Sequence, residues 1–134
     1  KNCKKNFFYS KNESPLNSII KLKQIKNYKK RSINQISIDY FCDRYKIYPD
    51  IIKIDVEGAE LNVLKGAKKT ILKYKPIIYL SVHPSHLKKL GFDLTQLKDL
   101  ISFYGYTIED FNCNRVKNLK FGEYIIKPIK DKLN

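Results

Sequence analysis

Apolar positions separate a polar first segment of the chain from a periodic remainder. Residues 1–32 are rich in Lys and Asn and contain one short apolar piece, Phe7–Tyr9, followed by a turn signal at Asn12–Pro15. This segment is compatible with an edge strand at Phe7–Tyr9 and a weak helix over Leu16–Tyr28, or with a flexible insertion. We therefore divide the chain into a basic, loosely structured insertion or linker, 1–32, and a folded region, 33–134.

Two β-branched runs with a helical segment between them predict one βαβ unit. Ile51–Val56 and Ile77–Val82 have the composition of buried strands. Between them, apolar positions recur with helical spacing over Glu60–Tyr74, and Pro76 prevents the helix from continuing. Gly66 lies inside this helix at a cost of about 1 kcal/mol, which indicates close packing against a neighbour. Such crossovers are right-handed and join parallel strands.

A strand and a short helix are predicted upstream of this unit. Ile36 and Ile38 alternate with polar neighbours, as in a half-buried strand. Asp39 follows and is placed to cap a short helix over Tyr40–Tyr45. The strand would therefore lead directly into the helix.

A second helix and two more strands are predicted downstream. Asp93 and Gln96 have the spacing of a capping box, and the helix that they begin ends near Gly105. Tyr106–Ile108 and Tyr124–Ile126 have the composition of strands. The predicted order after the first buried strand is helix, strand, helix, strand, strand, which is typical of an α/β domain.

Composition limits the class of protein. The chain has 134 residues, of which 43% are hydrophobic, enough for one domain with a buried core. Its three cysteines are far apart and lack ligand spacing, which favours reduced thiols in a cytoplasmic protein over a disulfide framework or a zinc site. No apolar run is long enough to span a bilayer.

The charge of the chain raises a second interpretation. The net charge is +14, and residues 1–32 carry ten Lys and Arg against the single acid Glu13. This segment is compatible with a basic module that binds nucleic acid or an anionic surface. Lys, Ile and Asn share AT-rich codons and Arg occurs only three times, so genome base bias explains much of the lysine. Nucleic acid is the less favoured partner.

Four polar residues lie where the predicted sheet would bind a ligand. Asp55 is near the end of the first buried strand, and His83 immediately follows the second. Because ligands bind beyond the carboxyl ends of parallel strands, we expect both side chains to line one rim. Glu57 faces the same way if the chain is still extended, and Glu60 lies in the first turn of the following helix, where its charge is favoured.

Structural roles explain the same residues and stay open at this point. Asp55 is compatible with closing a turn, and Glu57 and Glu60 with capping a helix. His83 is compatible with a loop turn in which backbone groups satisfy its ring, and His86 with an exposed position in a short turn. Two acids without a third ligand are a weak signal for a cation, so we predict no metal site.

The stretch Ser37–Pro84 resembles the FkbM methyltransferase family. Lys53–Glu60 reads KIDVEGAE, which matches the family block without a mismatch, and VLKGA follows at Val63–Ala67. Leu80–Pro84 reads LSVHP and resembles the subset thought to act on sugar hydroxyls. The resemblance covers residues 33–108.

The resemblance implies an α/β, Rossmann-like class I methyltransferase fold that uses S-adenosylmethionine. In that layout the chain would supply strands four to seven with the two intervening helices. The sheet would be mostly parallel and closed by an antiparallel hairpin. The methyl acceptor would be a hydroxyl of a sugar or glycan.

The resemblance also implies that the fold is incomplete. The family's glycine-rich cofactor turn belongs to the first strand, and this chain contains no G-x-G. The chain begins at Lys1 and contains no Met, so we expect the cofactor-binding residues upstream of residue 1. We expect the isolated chain to be inactive and to depend on that N-terminal half.

The same resemblance suggests roles for the four polar residues. His83 would be the general base, because imidazole exchanges protons readily near neutral pH. Asp55 would orient the acceptor hydroxyl or the imidazole, and Glu57 would join it in binding the acceptor or a divalent ion. Glu60 would bind the acceptor. The alternatives are a basic module that binds nucleic acid or an anionic surface, and a non-catalytic pseudoenzyme or split-gene fragment.

Overall fold

Strands and helices alternate along most of the chain in a computed structural model, which describes residues 3–10, 18–19 and 28–129. The strands are β1 (Cys3–Ser10), β2 (Tyr28–Gln35), β3 (Ile51–Ile54), β4 (Ile77–Val82), β5 (Tyr106–Glu109) and β6 (Gly122–Pro128). The helices are α1 (Ile38–Tyr45), α2 (Glu60–Gly66), α3 (Lys68–Tyr74), α4 (Pro84–Lys89) and α5 (Leu94–Phe103).

Four of these strands form a mixed sheet in the order β3-β4-β6-β5. β3 and β4 are parallel, with Ile51 opposite Ile77 and Ile54 opposite Leu80. β6 lies between β4 and β5 and runs antiparallel to both. The predicted βαβ unit and the antiparallel pairing of the last two strands are therefore confirmed, and the fold class is α/β. The prediction of a mostly parallel sheet is wrong for the described strands, because β6 inserts beside β4 and makes two of the three pairings antiparallel.

The core lies between one face of this sheet and the helices. Alternate residues of β4, namely Ile78, Leu80 and Val82, are buried, as the period of a strand requires. They belong to one apolar cluster with residues of α2 and α5, including Leu61 and Leu97. The capping box predicted at the start of α5 is confirmed, because Asp93 and Gln96 exchange side-chain-to-backbone hydrogen bonds.

The helix predicted over Glu60–Tyr74 is divided in two at Ala67, where the backbone leaves the helical region with φ −110° and ψ 8°. The Asp39 carboxylate caps the second piece, α3. It accepts hydrogen bonds from the backbone N–H groups of Lys69 and Thr70 at 3.0 and 2.8 Å, and from the Thr70 hydroxyl at 2.9 Å. A single uninterrupted helix was therefore the wrong prediction.

The elements predicted between residues 36 and 45 are shifted. β2 ends at Gln35 and α1 begins at Ile38, so the strand predicted around Ile36 and Ile38 is wrong. Ser37 caps α1 by accepting the Tyr40 N–H at 3.1 Å. Asp39 is consequently free to cap α3 instead of the helix for which it was predicted.

Gly66 confirms the close packing expected of a helical glycine. A Cβ at this position would lie 3.3 Å from the Ser37 Cβ. The start of α1 therefore rests on the end of α2 at a distance that a larger side chain would disturb.

The first strand of the sheet is less buried than predicted. β3 ends at Ile54, which is buried, whereas Ile51 is 60% exposed. The reason is that β3 lies at an edge, since no other strand of the described residues pairs with its far side. An edge strand with exposed apolar side chains is a surface that favours pairing with another strand.

β1 and β2 form a separate antiparallel hairpin in which Cys3 is opposite Gln35 and Ser10 is opposite Tyr28. The predicted edge strand at Phe7–Tyr9 lies within β1. Most of the helix predicted over Leu16–Tyr28 falls outside the described residues. The predicted boundary after residue 32 lies inside β2, and the division of the chain at that point stays a prediction.

None of the helices in the described part of the chain is both long and apolar enough to cross a membrane. Among the described cysteines, Cys42 is buried and Cys113 exposed, and both are free thiols.

Candidate functional site

The carboxyl ends of β3 and β4 bring three predicted site residues together. His83 Nε2 lies 3.8 Å from Asp55 Oδ1 and 3.6 Å from Glu57 Oε1. The cause is the parallel register of the two strands, in which Ile54 is opposite Leu80 and both chains leave the sheet at the same edge. The shared rim expected from the sequence is therefore present.

An unusual turn directs Glu57 toward this rim. Glu57 is not extended, as the sequence suggested, but left-handed with φ 51°, and Gly58 follows with φ 103°. A Cβ at Gly58 would lie 2.6 Å from the carbonyl carbon of His86. Glycine at 58 is therefore required both by the turn and by the close approach of α4.

Glu60 lies behind His83 and does not reach the protein surface. Its side chain is fully buried. Its Oε1 atom lies 2.8 Å from His83 Nδ1 and accepts a hydrogen bond from the Gly58 backbone N–H at 2.9 Å. With Nδ1 bonded to Glu60, the other ring nitrogen of His83, Nε2, faces Asp55 and Glu57. The contacts of Glu60 are those of a positioning residue, whereas acceptor binding was predicted.

His86 belongs to the same cluster, although an exposed position was predicted for it. Its side chain is 12% exposed, and Nδ1 lies 3.0 Å from Glu57 Oε2. Its ring also stacks on that of His83, with 5.9 Å between centroids. The signal for this arrangement was Pro84, because proline in the first turn is typical of a helix start, and α4 places His86 above Glu57.

Lys53 adds a cation at the side of the cluster. Its Nζ lies 3.7 Å from Asp55 Oδ2 and 3.4 Å from Glu123 Oε1, and it donates to the Ser81 hydroxyl at 3.1 Å. These contacts join β3, β4 and β6 on one face of the sheet. They offset one negative charge at Asp55.

Phe121 forms an apolar wall that sequence reasoning missed. Its ring meets that of His83 edge-on at 5.7 Å between centroids, and the side chain is 73% exposed. No local pattern identifies Phe121, because the residue precedes β6 and reaches the site only through the antiparallel pairing of β4 with β6. Val82 opposite Gly122 fixes that pairing at the rim.

The donor atoms at the rim also suit a cation. One ligand atom each from Asp55, Glu57 and His83 lies within 4.8 Å of the others. The prediction of no metal site assumed that the two acids lack a third ligand. His83 is that third group, so the assumption was wrong.

A concavity lies between α1 and α3, away from the His83 cluster, with which it shares no lining residue. Its volume is about 630 Å³, and its walls combine acids, lysines and tyrosines, among them Asp43, Lys69, Lys73 and Tyr74. The Asp39 carboxylate at its edge is already used by the N-terminus of α3.

Comparison with families of known proteins identifies the chain. The model of the methyltransferase FkbM domain matches residues 1–108, which include KIDVEGAE at Lys53–Glu60 and LSVHP at Leu80–Pro84. Searches of curated proteins and of solved structures give no significant match. The family match covers most of the chain and includes all three residues at the rim, and the chain accordingly belongs to the FkbM family of methyltransferases.

Proposed function

We propose that this chain forms the acceptor side of an S-adenosylmethionine-dependent O-methyltransferase that acts on a sugar or glycan hydroxyl. The observation that carries the proposal is the orientation of His83. Buried Glu60 holds Nδ1 at 2.8 Å, which directs Nε2 toward Asp55 and Glu57 at the rim. Membership of the FkbM family supports methyl transfer as the reaction.

His83 would take the proton from the acceptor hydroxyl. A hydroxyl is a poor nucleophile until its proton leaves, and a positioned imidazole typically contributes 10²–10⁴ in rate. Glu60 would hold the ring in one tautomer and stabilise the imidazolium that forms, as a buried carboxylate does behind a catalytic histidine. Asp55, whose side chain is 47% exposed, would accept a hydrogen bond from the sugar.

A sugar suits this opening because the cluster is polar on one side and apolar on the other. Carboxylates at Asp55 and Glu57 can accept hydrogen bonds from several hydroxyls. The exposed ring of Phe121 can pack against the apolar C–H face of a pyranose, as aromatic rings do at sites with one wet and one apolar side. Together they support a polyhydroxylated acceptor.

The described residues do not fit the cofactor itself. S-adenosylmethionine would supply the methyl group on its sulfonium, but the family's glycine-rich cofactor turn has no counterpart in this chain, which contains no G-x-G. In residues 28–129 the N–H of Gly58 is bonded to Glu60 and the first amides of α3 to Asp39.

We infer that the cofactor contacts come from an N-terminal half that pairs with the free edge of β3. The exposed Ile51 on that edge supports a further parallel strand there. The order β3-β4-β6-β5 would then be strands four, five, seven and six of a Rossmann-like class I sheet. On this proposal the isolated chain is inactive.

Replacement of His83 tests the proposal. In a complete enzyme that contains this chain, His83→Ala should lower turnover by about 10²–10⁴, because the hydroxyl proton loses its acceptor. The measurement is transfer of a labelled methyl group to a panel of sugars. Asp43→Asn on the exposed side of α1 is the matched control and should leave turnover unchanged. Equal turnover in His83→Ala and the unsubstituted enzyme would exclude His83 as the base.

The basic hairpin supports a second candidate, a module that binds an anionic surface or nucleic acid. Lys4, Lys5, Lys29, Lys30 and Arg31 are all exposed on β1 and β2. Binding of mixed oligonucleotides that falls steeply with salt would favour this module. An absence of binding at physiological salt would favour the methyltransferase alone.

A further inference from the structure

We propose that Asp55, Glu57 and His83 form a site for a divalent first-row cation such as Mn²⁺ at the carboxyl ends of β3 and β4. Each residue offers one ligand atom, and the three atoms lie within 4.8 Å of one another. The purpose of the ion rests on the proposed function, but its binding is a separate property that can be measured alone.

The separations of the donor atoms fit one shared ion. Nitrogen and oxygen ligands bind such cations at about 2.0–2.2 Å, so neighbouring ligands of one ion lie about 3–4 Å apart. His83 Nε2 is 3.8 Å from Asp55 Oδ1 and 3.6 Å from Glu57 Oε1. These distances are too long for hydrogen bonds, which leaves room for an ion between the atoms.

Each of the three ligands is held by a partner of its own. Glu60 bonds the far ring nitrogen of His83 at 2.8 Å, and His86 bonds the second oxygen of Glu57 at 3.0 Å. Lys53 lies 3.7 Å from the second oxygen of Asp55. Metal ligands in proteins typically have such outer partners, which fix the tautomer and the direction of the donor atom.

The charges around the cluster favour a cation independently of these distances. Asp55, Glu57 and Glu60 bring three carboxylates together in a chain whose net charge is +14. Lys53 offsets one of them. Glu60 is fully buried, and its Oε2 has no hydrogen-bond partner among the described residues. An unpaired buried carboxyl oxygen is costly, and the positive charge of a divalent ion bound at His83 would offset that cost.

The types of donor indicate the class of ion. One imidazole and two carboxylates are nitrogen and oxygen ligands, which suit Mn²⁺, Fe²⁺ or Zn²⁺ better than they suit a thiolate-seeking ion. Three protein ligands leave further positions of the ion open. Those positions would face the opening beside Phe121, where the acceptor hydroxyl is proposed to bind. With the ion in place, His83 Nε2 would be a ligand and not the base, and the ion would lower the pKa of the bound hydroxyl, whose proton would then pass to solvent water.

Direct titration with Mn²⁺ tests the site on the 134-residue chain, without methyl donor or acceptor. Electron paramagnetic resonance of free Mn²⁺ should show saturable binding of one ion. Asp55→Asn, Glu57→Gln and His83→Gln should each weaken binding by about tenfold or more, since loss of an outer partner alone costs 10–100-fold. For the same reason Glu60→Gln should weaken it by about 10–100-fold.

The control is Asp43→Asn, which removes an acid that is 87% exposed on α1 and should leave the affinity unchanged. Circular dichroism identifies any variant that fails to fold, and pulsed resonance supplies a measurement that needs no variant. Bound Mn²⁺ should show coupling to a directly ligated ¹⁴N of imidazole. Absence of saturable binding, absence of that coupling, or an equal loss in Asp43→Asn would overturn the site.

The outcomes separate this inference from the proposed function. If the 134-residue chain binds Mn²⁺ but a complete enzyme that contains it has no methyltransferase activity, the metal site is supported and the proposed function is rejected. A complete enzyme whose turnover depends on His83 but whose chain binds no Mn²⁺ would keep the function and reject the site.

Discussion

At the scale of single residues, Gly58 is constrained both by its positive φ angle and by the close approach of His86, whereas Gly91 is constrained by its positive φ angle alone. Gly58 and Gly91 have positive φ angles of 103° and 80°, but only Gly58 has backbone atoms in the place of a Cβ, 2.6 Å away in His86. No other atom of the described residues lies within 4 Å of a Cβ at Gly91. The pair therefore distinguishes the cost of the backbone conformation from the cost of the close approach.

We predict that Gly58→Ala destabilises the chain more than Gly91→Ala. Gly91→Ala should cost about 1–2 kcal/mol, the penalty of a left-handed L-residue. Gly58→Ala should cost about 3 kcal/mol or more, because α4 must also move. Urea denaturation of the two variants measures both values. Equal losses of unfolding free energy in the two variants would mean that α4 moves away from residue 58 at no cost and would contradict the prediction.

Sequence reasoning identified the rim but not the way in which it is assembled. Asp55 and His83 follow β-branched strands, and parallel strands bring such positions together whatever the loops do. Glu57 reaches the rim through a left-handed turn, which local composition did not indicate. The burial of Glu60 and the place of His86 both depend on α4 packing against Gly58, a contact between distant segments.

At the scale of secondary structure elements, Asp39 links α1 to the start of α3. The carboxylate belongs to the first turn of α1 and accepts three hydrogen bonds from Lys69 and Thr70. Thr70 is itself buried. The start of α3 is therefore capped by a side chain about thirty positions earlier in the chain, through a tertiary contact.

We predict that Asp39→Ala destabilises the chain by about 2 kcal/mol, at the upper end for a cap, because three donors lose their acceptor. Ser37→Ala, which removes the single cap of α1, should cost about 1 kcal/mol. Chemical denaturation gives both values, and hydrogen exchange at the Lys69 and Thr70 amides should accelerate only in Asp39→Ala. A larger loss in Ser37→Ala would contradict the assignment.

The periodicity of apolar residues predicted the bounds of elements that bury one face in the core. It failed where a cap or a contact distant in sequence sets the bounds of a helix. The bounds of β4 were predicted without error, since alternate residues face the core. The break at Ala67 was missed because the Asp39 contact that accompanies it is not local. Around Ile36 and Ile38, a strand pattern was overridden by the cap at Ser37, which begins a helix.

At the scale of the whole molecule, Tyr106 ties the sheet to the end of the crossover. Its hydroxyl donates to the Pro76 carbonyl at 3.0 Å, and the side chain is buried. Burial raises the pKa of Tyr106 from 10.0 to about 12. The folded chain therefore holds this proton more tightly than the unfolded chain does.

We predict that the contribution of Tyr106 to stability is complete below pH 10 and is lost as the pH rises toward about 12. Tyr106→Phe should cost about 1 kcal/mol at neutral pH and should reduce the alkaline loss of stability. Denaturation at neutral and alkaline pH measures both effects. Tyr48→Phe, at a 58% exposed position, is the control. An unchanged alkaline profile in Tyr106→Phe would exclude this role.

The sequence predicted the strands of the sheet better than their spatial order. Each strand is identified by its own composition, but neighbours are selected by packing across the whole molecule. The family resemblance implied an antiparallel pairing of the last two strands, but the position of β6 between β4 and β5 was not predicted. The same pairing brings Phe121 beside His83, which explains why local patterns did not reveal it.

The place of β6 also has a consequence for synthesis on the ribosome. β5 emerges before β6, yet among the strands that the structure describes it pairs only with β6. Until residues 122–128 have left the exit tunnel, the edges of β4 and β5 that pair with β6 are exposed. The apolar face of the sheet under α5 is also incomplete until then. A nascent chain stalled before Gly122 would therefore be the species most exposed to chaperones and to aggregation.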